Sequence, residues 1–514
     1  MVPVIPWDWG GGRIPSLLSL FKPMLLPPCC SRRTPRQLSG HVGPCGRGRA
    51  PLHALSQSDR AAASEAKRGK LLLPPPRKEN LPFPLRKIMA SPLRALNHIA
   101  FHVANGAALV RELVSKFQFH LFAVRVTEKT RQLALKKGSA VFLVNERPKL
   151  DEAAARECAR HQGSPALPCI SFGDALPPTH PAPDFLYDVR PPWPVDTASN
   201  VCFEVEDVSS LCSRLHERGC QILAPPTAVQ DDSGRVTYCV VKSIVGNVSH
   251  TLIDRSCYSG EFLPGFHRVT DSPATAAEPT AVTHVDHVTC ALLQGSSPQV
   301  LQWYEKCFGF QRFQLHWEDK AEGGYVMSGD GMGLRLSAMH YWRCSKVALS
   351  LPLPCRTPAC MFVLAESLPG QGQNQVDTFL DQHGGAGIQH VGLSTPDIVG
   401  TARALHSTGV RFVTPPAAYY TDAEKQEEIR AAGQDPHLLS QLGVLLDTDM
   451  SEEGVRSRKR YLLQVFTKPL FSAETFFLEL IERQGAVGFG EGNIRALWRA
   501  MQVYMDQKEQ KQRR

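Results

Sequence analysis

The sequence lacks the patterns that mark several common protein classes. Its fifteen cysteines are odd in number and are never spaced as C-x-x-C, which argues against a zinc ribbon or a disulfide framework and favours reduced thiols inside the cell. No apolar run reaches about 18 residues, so no membrane-spanning helix is predicted. Hydrophobic residues make up 43% and charged residues 21% of 514 positions, which is typical of a soluble globular protein with two or more domains.

The main body of the chain also lacks net positive charge. Residues 1–88 hold 15 Lys and Arg but only 4 Asp and Glu, a balance of +11, so within a total of +8 the remainder carries −3. A nucleic-acid-binding surface is therefore not expected there. The basic, Pro- and Arg-rich leader has the composition of an organelle transit peptide, or it is an upstream extension ahead of a start at Met89. A secretory signal fits less well, because Asp8 precedes the first basic residue.

An internal repeat organises the rest of the chain. The pattern L-H-x-x-G, followed by a strand-like stretch and Pro-Pro, occurs at residues 215–226 and again at 405–416, an offset of 190. Four further strand-like stretches follow the same spacing and contain, in order, His98, Asn200, His287 and His390. The chain is therefore predicted to consist of four similar modules, arranged as two halves.

Each module has the pattern of a strand, an amphipathic helix and further strands. The predicted helices 208–218 and 398–408 both stop before a glycine, Gly219 or Gly409, which suits the left-handed backbone just after a helix. These features predict an α+β fold of four βαβββ modules in two half-barrel domains that close around a cavity. Closure of this kind also removes exposed sheet edges.

Three stretches depart from this pattern. Residues 147–198 have no periodicity and contain nine prolines between 165 and 194, so we expect a surface loop or a disordered insertion. Residues 258–281 are expected to link the two halves. Residues 486–514 are expected to form a C-terminal helix, with Asn493 as its N-cap, and a basic tail.

A carboxylate interrupts an apolar stretch near the end of the second half. Glu479 lies within the strand-like run 476–481, where a charge is expected to be paired or to bind a metal ion. His287 and His390 begin two other strands of the same half. Three residues of metal-ligand type in matching places of a repeat predict one metal site.

The first half serves as an internal comparison. Its residues aligned with the three ligand-type positions are His98, Asn200 and Thr251, so only one of three is kept. The first half is therefore interpreted as a structural, dimer-forming domain without metal.

The second half resembles a known enzyme family. The motifs V-D-H-V, G-G-A-G-I-Q-H-V-G-L, L-L-Q-V-F-T-K-P, F-F-L-E-L-I-E-R and G-F-G-x-G-N are similar to those of 4-hydroxyphenylpyruvate dioxygenases, which have the vicinal oxygen chelate (glyoxalase/dihydroxybiphenyl dioxygenase-like) fold. The resemblance extends from about Met89 to Gln510. It implies domains of that fold over residues 95–257 and 282–485, with one Fe(II) per chain in the second. The implied iron ligands are His287, His390 and Glu479.

The implied ligand set has a recognised chemistry. Two imidazoles and one carboxylate on one face of a metal ion leave positions open, as in non-haem Fe(II) oxygenases. A 2-oxo acid substrate and O₂ can occupy them, so a dioxygenase is predicted. Two alternatives are a relative that binds a metal or an aromatic acid without turnover, and a zinc or nickel lyase or isomerase, which would usually need another acidic ligand.

The resemblance also implies a substrate pocket and some departures from the family pattern. The implied pocket residues are Gln375, Gln389, Gln464, Phe466, Phe477, Phe489 and Asn493. A serine and an asparagine of the family are replaced by Leu336 and Ala365, and Ile494 stands where phenylalanine is expected. Losing two hydrogen-bonding groups should change how the substrate ring is held. The predicted product from 4-hydroxyphenylpyruvate is therefore 4-hydroxymandelate, as in the hydroxymandelate synthase branch, with homogentisate as the alternative.

Three further expectations rest on the resemblance. The chain should form a homodimer through its N-terminal domain, and the helix within residues 486–514 should close the pocket. The basic leader, together with the resemblance, predicts a mitochondrial location, with the cytoplasm as the alternative.

Overall fold

The computed structural model describes most of both halves. The described residues are 93–128, 130–146, 185–269, 281–313, 319, 324–329, 332–341, 361–448, 460–473, 475–486 and 488–497. The predictions for the leader, for most of the insertion and for the basic tail concern residues outside these ranges. Within the described ranges, no helix is long and apolar enough to cross a membrane.

The first sheet combines two strand–helix–strand modules. One module consists of β1 (Leu93–Val103), α1 (Gly106–Ser115), β2 (His120–Val126), β3 (Arg131–Lys137) and β4 (Ala140–Glu146). The next consists of β5 (Thr197–Val205), α2 (Val208–Glu217), β6 (Ile222–Asp231), β7 (Gly234–Lys242) and β8 (Ser249–Tyr258). With β9 (His267–Arg268), the strand order is β6-β7-β8-β5-β1-β4-β3-β2-β9. Part of the stretch predicted as a linker thus adds a strand to this sheet.

The second sheet repeats this plan with extra helices. Its first module consists of β10 (His284–Leu292), α3 (Ser297–Phe308), β11 (Phe310–Phe313), β12 (Tyr325–Gly329), β13 (Met332–Tyr341) and β14 (Met361–Ser367), followed by α4 (Gln375–His383). Its second consists of β15 (Gly387–Ser394), α5 (Ile398–Ser407), α6 (Ala417–Thr421), α7 (Ala423–Ala431), α8 (Pro436–Leu442), β16 (Leu445–Thr448), β17 (Tyr461–Phe466) and β18 (Phe477–Gln484). The strand order is β11-β13-β14-β10-β15-β18-β17-β16, with β12 beside β13. A last helix, α9, begins at residue 491 and is described to 497.

Strand pairing confirms the predicted fold class. The first strands of the two modules, β1 and β5, pair antiparallel, and so do β10 and β15. Each first strand also pairs in parallel with the last strand of its own module, as β15 does with β18. The chain thus contains four βαβββ modules in two half-barrels.

Helix capping repeats with the modules. The side chain of Asp207 accepts a hydrogen bond from the Ser210 amide at the start of α2, and Asp397 does the same for Gly400 at the start of α5. An N-cap carboxylate pairs with an amide that has no partner inside the helix. Both helices end one residue earlier than predicted, at Glu217 and Ser407, and their C-caps, Arg218 and Thr408, directly precede Gly219 and Gly409.

The register places the repeat partners in equivalent positions. In the second half, His287 on β10 lies opposite Gly392 on β15, and Glu479 on β18 is the partner of Gly392 on its other side. The residues at these three positions of the first half are His98, Cys202 and Thr251. The sequence alignment of the two halves is therefore also their structural alignment.

The end of the Pro-rich insertion is part of the core and not a surface loop. Residues 185–188, Phe-Leu-Tyr-Asp, are all buried in the first half. Burial of the Phe185, Leu186 and Tyr187 side chains away from water stabilises the fold. The Tyr187 hydroxyl also donates a hydrogen bond to the Pro264 carbonyl over 3.0 Å. The Asp188 carboxylate accepts from the amide of Asn200 at 3.0 Å and lies 2.9 Å from the His102 ring. This end of the insertion has no helix or strand, as expected of a loop, but the expected surface location was wrong for it.

Candidate metal centre

Three side chains meet at the middle of the second sheet. The Glu479 Oε2 atom lies 3.2 Å from Nε2 of His287 and 3.4 Å from Nε2 of His390. The side chains of His287 and Glu479 are 2% and 1% exposed, and that of His390 is 12% exposed. One ligand atom of each residue lies within 4.8 Å of the other two, which is close enough for a single metal ion.

Adjacent strands bring these side chains together. Strands β10, β15 and β18 are neighbours in the sheet, and each contributes one residue. Gly392 makes room for them, since a Cβ atom added there would lie 2.3 Å from Cε1 of the His287 ring. A separation below about 3 Å is not tolerated between nonbonded carbon atoms, so a glycine is required beside the imidazole.

The three groups are electrostatically coupled. Burial alone would raise the pKa of Glu479, but His287 and His390 lower it to about 2. Burial lowers the pKa of His390, whereas for His287 the carboxylates of Glu479 and Asp286 outweigh burial and raise the pKa to about 9. A carboxylate this deeply buried needs a positive charge beside it. A protonated imidazole or a divalent metal ion can supply that charge.

A second layer of residues orients the three side chains. Asp286 accepts a hydrogen bond from Nδ1 of His287 over 2.9 Å, which turns Nε2 towards Glu479. The guanidinium of Arg483 binds both oxygens of Asp286 at 2.8 Å. Burial would raise the pKa of Asp286, but Arg483 holds it well below its usual range. On the other side, Gln464 donates to Oε1 of Glu479 over 2.9 Å. Partners of this kind fix the orientation of metal ligands.

This donor set fits a divalent transition metal such as Fe(II). It offers two imidazole nitrogens and one carboxylate oxygen, and Asp286 occupies the remote nitrogen of the first imidazole. Imidazole and carboxylate ligands that leave positions open suit non-haem Fe(II). His287, His390 and Glu479 would hold the ion.

A pocket opens beside the three side chains. Its empty space amounts to about 570 Å³, part of which is open solvent. The predicted residues that line it are Gln375, Gln389, Gln464, Phe466, Phe489 and Asn493, together with the three departures Leu336, Ala365 and Ile494. The pocket is therefore polar near the three ligand-type residues and apolar at β13 and β14.

Two predicted roles differ from the structure. Phe477 is outside the pocket lining and stacks on the His390 ring, with ring centroids 4.7 Å apart. Asn493 does not cap the last helix, because α9 begins two residues earlier. Its amide instead donates to Oε1 of Gln464 over 2.9 Å, and its oxygen accepts from the Tyr419 hydroxyl over 2.7 Å. A buried polar side chain facing the pocket gains more from these partners than from the helix end.

Comparisons with known proteins identify the family of the chain. Residues 284–427 match the model of the Glyoxalase/Bleomycin resistance protein/Dioxygenase superfamily. The 4-hydroxyphenylpyruvate dioxygenase-like protein of Mus musculus is 44% identical over 418 residues, which is 80% of this chain and 98% of the relative. The 4-hydroxyphenylpyruvate dioxygenase of Dictyostelium discoideum is 31% identical over 60% of this chain and 77% of that protein. The chain belongs to the 4-hydroxyphenylpyruvate dioxygenase family.

A solved structure shows the same fold. A triple mutant of 4-hydroxymandelate synthase from Streptomyces coelicolor superposes with a TM-score of 0.58 at 23% identity, covering 80% of this chain and 99% of the other. In this member of the 4-hydroxyphenylpyruvate dioxygenase family, the pocket and the three ligand-type residues belong to the second of two related half-barrels.

Several pocket residues of this family member escaped the sequence interpretation. They are Thr289, Leu334, Val363, Leu445, Gly490 and Leu497. Thr289 lies two residues after His287, and Leu334 two residues before Leu336. Alternation along a strand could therefore have found them. The hydroxyl of Thr289 and the side-chain oxygen of Gln375 are buried, without a hydrogen-bond partner among the described residues. Both atoms are available to a bound ligand.

Proposed function

We propose that the chain is an Fe(II)-dependent dioxygenase that converts 4-hydroxyphenylpyruvate and O₂ to 4-hydroxymandelate and CO₂. The observation that carries the proposal is the buried set of His287, His390 and Glu479 beside a pocket whose far wall is apolar. Family membership supports the reaction class, and the apolar wall supports the product.

The metal and the protein have separate tasks in this proposal. When bound, Fe(II) supplies the activation of O₂ that accompanies decarboxylation of a 2-oxo acid. Gln464 holds the Glu479 carboxylate in place, because its amide donates both to that group and to the Phe489 carbonyl over 3.0 Å. The unpaired oxygens of Thr289 and Gln375 favour a ligand with polar hydrogens at these points.

The far wall decides which carbon of the substrate is oxidised. Leu336 and Ala365 lie opposite each other on β13 and β14, and both are buried in the pocket lining. They replace the serine and the asparagine that the family pattern has there. A ring without these hydrogen bonds can tilt and bring its benzylic carbon into the reacting position, and a displacement of about 1 Å can change a rate roughly 10²-fold. The benzylic outcome is 4-hydroxymandelate.

Product analysis tests the proposal. The chain is loaded with Fe(II) without oxygen and then given 4-hydroxyphenylpyruvate and O₂. 4-Hydroxymandelate and homogentisate are isomers, so the products must be separated by chromatography before mass spectrometry. We expect 4-hydroxymandelate from the unaltered chain and a shift towards homogentisate after Leu336→Ser combined with Ala365→Asn. Homogentisate alone from the unaltered chain, or an unchanged product ratio after the double change, would contradict the proposed product.

Homogentisate formation is the second candidate. It is favoured by Phe466 and Phe489, which keep an aromatic wall of the family pattern in the pocket lining. A chain that binds Fe(II) but releases no product would instead indicate a relative without turnover.

Location and assembly complete the proposal. We propose a mitochondrial location on the basis of the net charge of +11 over residues 1–88, which is typical of a transit peptide.

We also propose a homodimer through the first half, whose strand β6 lies at a sheet edge where another chain could pair. Sedimentation of the purified chain at several concentrations tests the second point.

A further inference from the structure

One arginine contacts the second layer of the candidate metal centre. Arg483 follows Glu479 by four residues on β18, so their side chains share a face of the strand. Its Nε and Nη2 atoms each donate to one oxygen of Asp286 over 2.8 Å, a paired geometry that only a guanidinium provides. Asp286 in turn accepts from Nδ1 of His287. The arginine therefore fixes the group that orients a metal ligand.

The same arginine also contacts the turn before α9. Its Nη1 atom donates to the Gly488 carbonyl over 2.6 Å, and its guanidinium lies 5.0 Å from the centre of the Phe489 ring. The Phe489 ring lines the pocket and packs edge-on against the His287 imidazole, with centroids 5.1 Å apart. Arg483 thus contacts both the residue that orients His287 and the turn that carries the pocket residue Phe489.

A second connection reaches this turn from another ligand. The Gln464 amide bridges the Glu479 carboxylate and the Phe489 carbonyl. Glu479 is thus linked to Phe489 through one side chain, that of Gln464. His287 is linked to the preceding residue, Gly488, through two side chains, those of Asp286 and Arg483. A change at the metal centre and a movement of the turn should accompany each other.

The first half shows what this arginine does where the described residues form no set of metal ligands. Arg255 is the repeat partner of Arg483, and it donates over 2.8 Å to the Gly260 carbonyl, five residues later, as Arg483 does to Gly488. The position of Asp286 is occupied by Asn97, whose amide donates to Glu204 over 2.7 Å. In both halves the arginine therefore forms a hydrogen bond to the turn after the last strand. Among the described residues, only in the second half does it also pair with an aspartate next to a histidine of the ligand set.

We propose that Arg483 is a positioning residue for the metal centre: through Asp286 it holds His287 in its ligand orientation, and through Gly488 it couples that orientation to the turn carrying Phe489. This inference rests on the proposed metal centre. It assigns Arg483 no contact with the substrate.

Conservative substitution at the two repeat positions tests the proposal. Arg483→Lys keeps the charge but loses the paired hydrogen bonds. Arg255→Lys makes the same substitution in the first half, where the positions aligned with the ligands hold His98, Asn200 and Thr251. Co(II) is added to the full-length chain without oxygen, and its affinity is measured from the visible absorption spectrum against a competing chelator. We expect Arg483→Lys to weaken Co(II) binding about 10- to 100-fold, as is common for partners of metal ligands. Arg255→Lys should leave the affinity within about twofold of the unaltered chain.

A second variant tests the route through Asp286 and serves if Arg483→Lys fails to fold. Asp286→Asn removes the pair from its other side and should weaken Co(II) binding to a similar extent. In the double variant the two effects should be far from additive, since both remove one interaction. Hydrogen exchange reports the coupling directly: Co(II) should protect the amides around Phe489 in the unaltered chain and much less in Arg483→Lys.

The outcomes separate this inference from the proposed function. Equal Co(II) affinity in the unaltered chain and in Arg483→Lys, or fully additive effects with Asp286→Asn, would overturn the role of Arg483 whatever the enzyme produces. Weakened Co(II) binding in a chain that yields neither product would support Arg483 and overturn the proposed reaction. An unaltered chain that binds no Co(II) would overturn both.

Discussion

Gly392 offers the sharpest test of the geometry of the candidate metal centre. An alanine Cβ at this position would lie 2.3 Å from Cε1, 2.5 Å from Nδ1 and 2.9 Å from Nε2 of His287. The sheet register fixes the two backbones opposite each other, so the imidazole must move away. Restoring an ordinary contact of about 3.4 Å requires a shift of roughly 1 Å, enough to cost a reaction about 10²-fold. Overpacking of the core should cost a further 1–3 kcal/mol of stability.

The assay for Gly392→Ala measures metal binding and turnover separately. We expect Fe(II) affinity, titrated without oxygen against a chelator, to fall at least about 10-fold, and turnover to fall by about a further 10²-fold. The matched control is Cys202→Ala, because Cys202 occupies the same register position opposite His98 in the first half. It should lose some stability and keep its metal affinity. If Gly392→Ala binds Fe(II) normally and keeps more than half of its turnover, the close approach of residue 392 to a ligand is refuted.

Three more predictions concern other parts of the chain. Glu479→Gln should abolish stoichiometric Fe(II) binding while the chain stays soluble, whereas Thr251→Val at the matching position should bind iron normally; iron analysis after desalting decides, and retained iron in the first variant would disprove the ligand assignment. Burial and Glu491 raise the pKa of Asp447 to about 7, so its contribution to stability is lost as pH rises through about 7. Asp447→Asn should therefore gain stability over the unaltered chain between pH 4 and pH 8, by at most about 4 kcal/mol in denaturant titrations, and a constant difference would count against the raised pKa. A tagged full-length chain should reach mitochondria, and a cytosolic signal from both it and a chain starting at Met89 would exclude the proposed location.

Features that depend on repetition along the chain are predictable from the sequence. The offset of 190 residues aligns His390 with Asn200, and strand pairing gives the same alignment. Helix ends are also predictable, because a glycine after an amphipathic run is a local signal. Repeats and periodicity are patterns of the sequence itself, so they can be recognised without knowledge of the fold.

Features that depend on distant contacts are not predictable in this way. The pairing of Asp286 with Arg483 joins residues 197 positions apart, and no local pattern indicates it. Asn493 is of a residue type that often caps helices, yet its side chain forms hydrogen bonds with Gln464 and Tyr419 instead. The buried Phe185 follows a Pro-rich stretch, so its composition suggests a loop while its environment is core. In each case tertiary contacts outweigh a local preference.

On the function proposed above, Leu336 and Ala365 determine the product, and their facing positions then limit how the two product chemistries can be exchanged during evolution. Because these residues are partners across β13 and β14, a polar side chain introduced at one of them would face an apolar neighbour in a buried wall. An unpaired buried hydroxyl or amide costs about 1–3 kcal/mol, a large share of the roughly 5–15 kcal/mol that keeps a domain folded. Each single replacement is therefore expected to lower stability, unless a second polar side chain on the facing strand supplies the missing hydrogen-bond partner. Lineages separated by both changes are then expected to cross back rarely, since the intermediate chain would carry the unpaired group.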